Sequence, residues 1–206
     1  MKVYVVGNAL GYLRFLDNVE NVSKMEDADI VMFTGGEDVD PSMYNCDKRH
    51  PLTYSNIQRD IREKEIFEKV SDNQLVVGVC RGSQFLCAMN GGILVQDVRG
   101  HAIGRTHPIT NGKEIYEITS THHQMQYPFV LPENEYDVLY WANNIGFSHT
   151  GYLIDAELII EKGEPEIVYY HRPGKPKCLA IQGHPEMMPG TPVTKMLNKL
   201  IKELCN

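Results

Sequence analysis

The sequence predicts a three-layer α/β/α sandwich around a mostly parallel sheet, with an antiparallel extension at one edge. Short β-branched runs end in glycine, helical patterns fall between them, and closely spaced strands crowd the second half of the chain. Residues 2–6 (KVYVV) stop at Gly7, and residues 29–33 (DIVMF) stop at Thr34-Gly35-Gly36, as buried strands do when their loops emerge at one sheet edge. Tyr12 to Asp27 holds a weak helical pattern, and residues 37–55, with Pro41 and Pro51, form a long loop.

From Asn56 to Val70, the residues Ile57, Ile61, Ile66, Phe67 and Val70 recur at helical spacing and predict a helix with that face on the core. Glu63 and Lys64 fall on the solvated side. Leu75 to Val79 is a strand, and Gly82 to Met89 a helix closed by Gly91-Gly92. Strands follow at Glu114–Thr119, Tyr136–Ala142, Glu157–Glu161, Glu166–His171 and Leu179–Ile181. A closing helix, Val193 to Leu204, gathers Val193, Met196, Leu197, Leu200, Ile201 and Leu204 on one side. At 206 residues without an internal repeat, the chain fits one domain spanning 1–206.

Lys and Arg number 20 against 27 Asp and Glu, a net charge of -7 with no basic tract, which argues against nucleic acid as a main partner. No run approaches the roughly 20 apolar residues of a membrane span, and the N-terminus lacks the features of a signal segment. Five cysteines at irregular spacing read as reduced thiols of a cytoplasmic protein.

The chemistry concentrates at Gly78-Val79-Cys80-Arg81-Gly82. Glycines two before and two after the central residue suit a tight strand-to-helix turn, which lifts the sulfur above the sheet beside the helix's first amides. That setting favours a nucleophilic thiolate. A buried structural cysteine is the ordinary alternative, and it is how Cys87 reads. A thiol nucleophile needs a base, and the base an orienting group. In LAIQGHPE, residues 179–186, His184 and Glu186 stand just beyond a strand end.

Taken together, these residues resemble class I glutamine amidotransferases, in particular the gamma-glutamyl-gamma-aminobutyrate hydrolase branch of the peptidase C26 hydrolases. The resemblance rests on Gly35-Gly36-Glu37-Asp38-Val39-Asp40-Pro41 with Tyr44, on Arg59-Asp60, on Gly78 to Gln84, on Ser120-Thr121-His122-His123-Gln124, and on Ile181 to Glu186. It implies a flavodoxin-like amidotransferase fold and hydrolysis of a gamma-glutamyl amide through a thioester on Cys80. His184 would move the proton and Glu186 orient it. Backbone N–H groups of Gly36 and Arg81 would form the oxyanion hole, while Gln84, His122, His123 and Gln124 would bind substrate and Arg59 and Asp60 support the site.

His122 and His123 have no Cys or carboxylate cluster at ligand-like spacing, so no metal and no cofactor is expected. His101, His107 and His171 stay without a role. The chain is short for the hydrolase branch, most of all between its first two strands, so the wall that selects the amine could differ. The competing readings are a glutaminase delivering ammonia to a separate synthetase, and a non-catalytic protein of the same fold. A synthetase and a second copy of the chain, as a homodimer, are the protein partners these readings allow.

Overall fold

The computed structural model describes residues 1–7, 10–98, 100–142 and 163–205. Its strands are β1 (Lys2–Val5), β2 (Glu20–Asn21), β3 (Ile30–Phe33), β4 (Leu75–Val79), β5 (Ile93–Val95), β6 (Arg105–Thr110), β7 (Ile115–Ser120), β8 (Met125–Tyr127), β9 (Tyr136–Ala142), β10 (Glu164–Tyr170) and β11 (Cys178–Ile181). The helices are α1 (Ile57–Phe67), α2 (Arg81–Met89) and α3 (Pro192–Leu204). Nine strands make one sheet, in the order β2-β1-β3-β4-β11-β10-β9-β6-β7, and β5 pairs with β8 apart from it.

The sheet has two halves. From β2 to β11 every pairing is parallel. From β11 through β10, β9 and β6 to β7 every pairing is antiparallel. Because β3, β4 and β11 run the same way, the loops after Phe33, Val79 and Ile181 leave at one edge, where open α/β sheets assemble their sites.

Strand alternation sorts the core into two faces. Ile30, Met32, Val77, Val79, Leu179 and Ile181 lie in one buried cluster with Val193, Leu197 and Ile201 of α3. Val31, Phe33, Val76 and Ala180 lie in the other, with Phe67 of α1 and Phe85 and Leu86 of α2. The helices therefore cover both faces, giving the three layers.

Several expectations change. The stretch from Tyr12 to Asp27 forms short 3-10 turns at Leu10–Phe15 and Met25–Asp27, with β2 between them, rather than a helix. Helix α1 forms, but it turns a different face inward: Asp60, Glu63 and Phe67 are buried, while Ile57 and Ile61 are 36% and 43% exposed. The strand expected at Glu157–Glu161 lies outside the described residues. No helix among the described residues is long and apolar enough to cross a membrane.

Candidate active site

Cys80 caps the N-terminus of α2 at φ 53 and ψ -112, a conformation that side chains rarely adopt. The turn is locked on both sides. A Cβ on Gly78 would sit 2.5 Å from the Gly82 carbonyl oxygen, and one on Gly82 would collide with the carbonyl of Phe33. The Cys80 N–H donates to the Ile181 carbonyl at 2.8 Å, tying the elbow to the strand that leads into His184.

His184 and Glu186 meet at 2.6 Å through Nδ1 and Oε1, and both are buried. The His184 N–H donates to Thr119 Oγ1 at 2.7 Å, fixing the segment after β11 against the end of β7. Burial works against charge on the imidazole, yet hydrogen bonds to Cys80 and Glu186 raise its pKa from 6.5 to about 10. The direction favours the protonated ring beside Glu186. A Cβ on Gly35 would come 3.2 Å from His184 Cε1 and 3.6 Å from Cys80 Cβ, so the loop after β3 closes over the pair.

That loop is held by Arg59. Its Nη2 donates to the carbonyls of Gly35 at 3.0 Å and Thr34 at 3.3 Å, and its Nη1 to Glu37 at 2.9 Å. The Gly35–Gly36 peptide is trans, so with its carbonyl turned to Arg59 the Gly36 N–H points the opposite way. A side chain on Gly36 would strike the guanidinium.

Arg59 Nε also bonds Glu63 at 2.7 Å, and the buried Arg81 guanidinium bonds both Glu63 and Asp60. Asp60 in turn accepts from the Asp40 N–H at 3.0 Å, and burial raises its pKa despite Arg81 beside it. This network joins the Gly35–Gly36 loop, α1 and the first residue of α2. Glu63 is thus a buried bridge between two arginines and not a solvated residue. The acidic inner face of α1 is explained by what it meets.

Gln84 is buried, and its Nε2 donates to the Gln124 carbonyl at 2.9 Å. Gln124 Nε2 reaches Thr53 Oγ1 at 3.3 Å. His123 is half-buried and pairs with Asp38 at 3.1 Å, which raises its pKa. His122 points elsewhere, into a buried group with His101, His107 and Glu166. Adjacent in sequence, the two histidines have separate surroundings. The expectation of no metal rested on local spacing; the fold brings His101, His107 and Glu166 to His122 from other elements.

Tyr12 joins the site without any signal in the sequence. Its ring centre lies 6.1 Å from that of His184, and its pKa is raised by burial and then by Glu186 and Cys80. Nothing in a short 3-10 turn of mixed residues marks it as part of a site. Cys87 and Cys178 behave as core thiols, with burial pushing each up to about 12.

An elbow cysteine facing a histidine–carboxylate pair across the edge of a parallel sheet sets the class, an α/β enzyme of the glutamine amidotransferase type. Solved structures share the fold. A GMP synthase component from Thermoplasma acidophilum matches with TM-score 0.59 at 17% identity, over 100% of this chain and 94% of that one. A glutamine amidotransferase from Thermotoga maritima matches with TM-score 0.54 at 13% identity, over 98% and 82%. A Peptidase C26 family model matches residues 6–131, more than half the chain, and the chain belongs to that class I glutamine amidotransferase-like family. Protein NtpR of Enterococcus hirae is 33% identical over 75 residues, 36% of this chain and 31% of NtpR, so the match spans about a third of that relative. The family match includes Cys80 and ends before His184 and Glu186.

Proposed function

We propose that this enzyme hydrolyses a gamma-glutamyl amide, glutamine or a gamma-glutamyl amine, through a thioester on Cys80. The observation that carries the reading is a strained elbow cysteine brought beside a buried His184–Glu186 pair joined at 2.6 Å. The Cys80 sulfur attacks the amide carbonyl carbon and the carbonyl oxygen becomes an oxyanion. The Gly36 and Arg81 N–H groups receive it, Arg59 having turned the Gly35 carbonyl away. As the C–N bond breaks, the His184 proton passes to the leaving amine. Neutral His184 then takes a proton from water, the hydroxyl adds to the thioester, and the C–S bond breaks to release the glutamyl acid. Glu186 orients the ring in both steps. Gln84, bonded to the Gln124 carbonyl, and the 120–124 segment with half-buried His123 are assigned to the glutamyl portion.

A second reading makes the chain a glutaminase component that passes ammonia to a separate synthetase. It draws on likeness of fold to the Thermoplasma GMP synthase component. One experiment separates the two. The purified chain is assayed against glutamine and a panel of gamma-glutamyl amines, with the released amine identified. Turnover of gamma-glutamyl amines without any partner supports the hydrolase, whereas glutaminase activity that arises only with an added synthetase supports the ammonia-delivering component. In either case Cys80→Ala should lower kcat by on the order of 10^4-fold or more. Retained turnover in that variant removes the mechanism.

A further inference from the structure

His101, His107, His122 and Glu166 each offer a ligand atom, and the four atoms lie within 4.8 Å of one another; all four side chains are buried. Three histidine nitrogens converge on one carboxylate oxygen. Glu166 Oε1 lies 3.4 Å from His107 Nε2, 3.5 Å from His101 Nδ1 and 3.6 Å from His122 Nε2. Neither Glu166 oxygen, neither His107 nitrogen, nor His122 Nε2 has a hydrogen-bond partner. Orphaned buried polar atoms are rare because each forfeits its hydration, so their accumulation at one point calls for something between them.

The tautomers sharpen this. His122 Nδ1 lies 2.9 Å from the Gln124 carbonyl, which can only accept, so Nδ1 carries the proton and a neutral ring presents a lone pair at Nε2. His101 Nε2 lies 2.7 Å from Glu164 Oε2, so the neutral ring likewise presents Nδ1, which also lies 3.3 Å from Ser120 Oγ, a hydroxyl whose proton goes to the His101 carbonyl. Both lone pairs then face a carboxylate. Acceptor against acceptor is unfavourable unless a proton or a metal cation lies between them, and 3.5–3.6 Å is long for a proton-bridged N–H···O bond. Donors about 2.0–2.1 Å from a tetrahedral zinc stand about 3.3–3.4 Å apart, close to the 3.4–3.6 Å between Glu166 Oε1 and the three histidine nitrogens. The outer bonds, a carboxylate on one histidine and a backbone carbonyl on another, are those that orient metal-ligating imidazoles. Glu166 sits where the β9–β10 register slips between Pro165 and Ile167, a bulge of the kind that redirects a side chain.

We propose that His101, His107, His122 and Glu166 form a structural site for a divalent transition-metal ion, zinc by its donor set. Four buried protein ligands leave no position for substrate, so the ion is a staple. It joins β6, β10 and the segments at 101 and 122, and so braces the antiparallel half of the sheet. Through the Gln124 carbonyl, shared by His122 and Gln84, it also fixes the 120–124 segment.

The test uses the full chain without a polyhistidine tag, expressed with added zinc and measured by elemental analysis after gel filtration. About one zinc per chain is expected, held more tightly than about 100 nM. His107→Ala and Glu166→Gln should lose it, and His171→Ala, a surface histidine bonded to Asp137, should keep it. Should the first two variants not fold, wild-type protein stripped by chelator and titrated with Co(II) decides: tetrahedral d–d absorption with histidine ligation supports the site. Another transition metal at the same stoichiometry and ligands also supports it. No retained metal together with only a hydrated octahedral cobalt spectrum overturns the proposal. So does equal metal in folded His107→Ala and Glu166→Gln, and the cluster is then a buried histidine–carboxylate charge network.

Discussion

At Cys80 the backbone carries positive φ without the freedom of glycine, and that cost persists only because Gly78, Gly82 and the Ile181 carbonyl fix the turn. Its consequence is a sulfur held against His184. The folded-state pKa of His184 is raised from 6.5 to about 10, so its contribution to stability is fully present below about pH 6.5 and is lost as pH rises through about 10. Unfolding free energies of the native chain and His184→Gln, compared across that window, should differ most at the acid end and converge at the alkaline end. A difference that is flat with pH would mean the ring is not held as an imidazolium. Glu186→Gln keeps the shape but removes the orienting charge, and kcat should fall by about 10^2–10^4-fold, less than for loss of Cys80. The convergence of these three residues is legible in the sequence because each stands in a short motif just beyond a strand end. Tyr12 is not, since its role comes from the fold laying a 3-10 turn over His184.

Helix α1 shows where hydrophobic spacing misleads at the scale of an element. Ile57 and Ile61 obey helical periodicity yet stay exposed, because the inner face is set by a buried arginine on α2 that requires carboxylates. No window of neighbouring residues contains that information. Glu63→Gln would leave Arg59 and Arg81 short of a negative charge, and breaking such a pair costs about 3–5 kcal/mol. Urea unfolding measures the loss; a change under about 1 kcal/mol would show that solvent screens the pair. Arg59→Lys retains charge but loses the fork that grips Gly35, Glu37 and Glu63 together. It should lower kcat by about tenfold or more with KM little changed, since the oxyanion appears only in transit. Strands β5 and β8 escape sequence reading because three residues carry no usable period. Pro108 disguises β6.

Across the whole molecule, the parallel half of the sheet supplies the edge from which Gly35, Cys80 and His184 emerge, and the antiparallel half supplies Thr119, whose hydroxyl accepts from the His184 N–H. Strand runs ending in glycine reveal the first half. The second half is only partly visible in closely spaced apolar runs, because a polar strand such as β6 buries histidine beside a single aliphatic residue. The two ends of the chain also meet. Asn198 on α3 donates to the Phe15 carbonyl and accepts from the Asp17 N–H at 2.7 Å, anchoring the turn that presents Tyr12 to the site. Asn198→Ala strands buried partners and should cost about 1–3 kcal/mol. Leu197→Ala, one residue away in the apolar cluster, should cost about 2–5 kcal/mol by opening a cavity. The variants should part in activity. Below their melting temperatures, Leu197→Ala should keep native kcat/KM, while Asn198→Ala should lower it because Tyr12 loses its anchor. Equal activities in the two variants, alongside distinct losses of stability, would show that the turn is held over His184 by its own packing and that α3 acts only as a cover for the sheet.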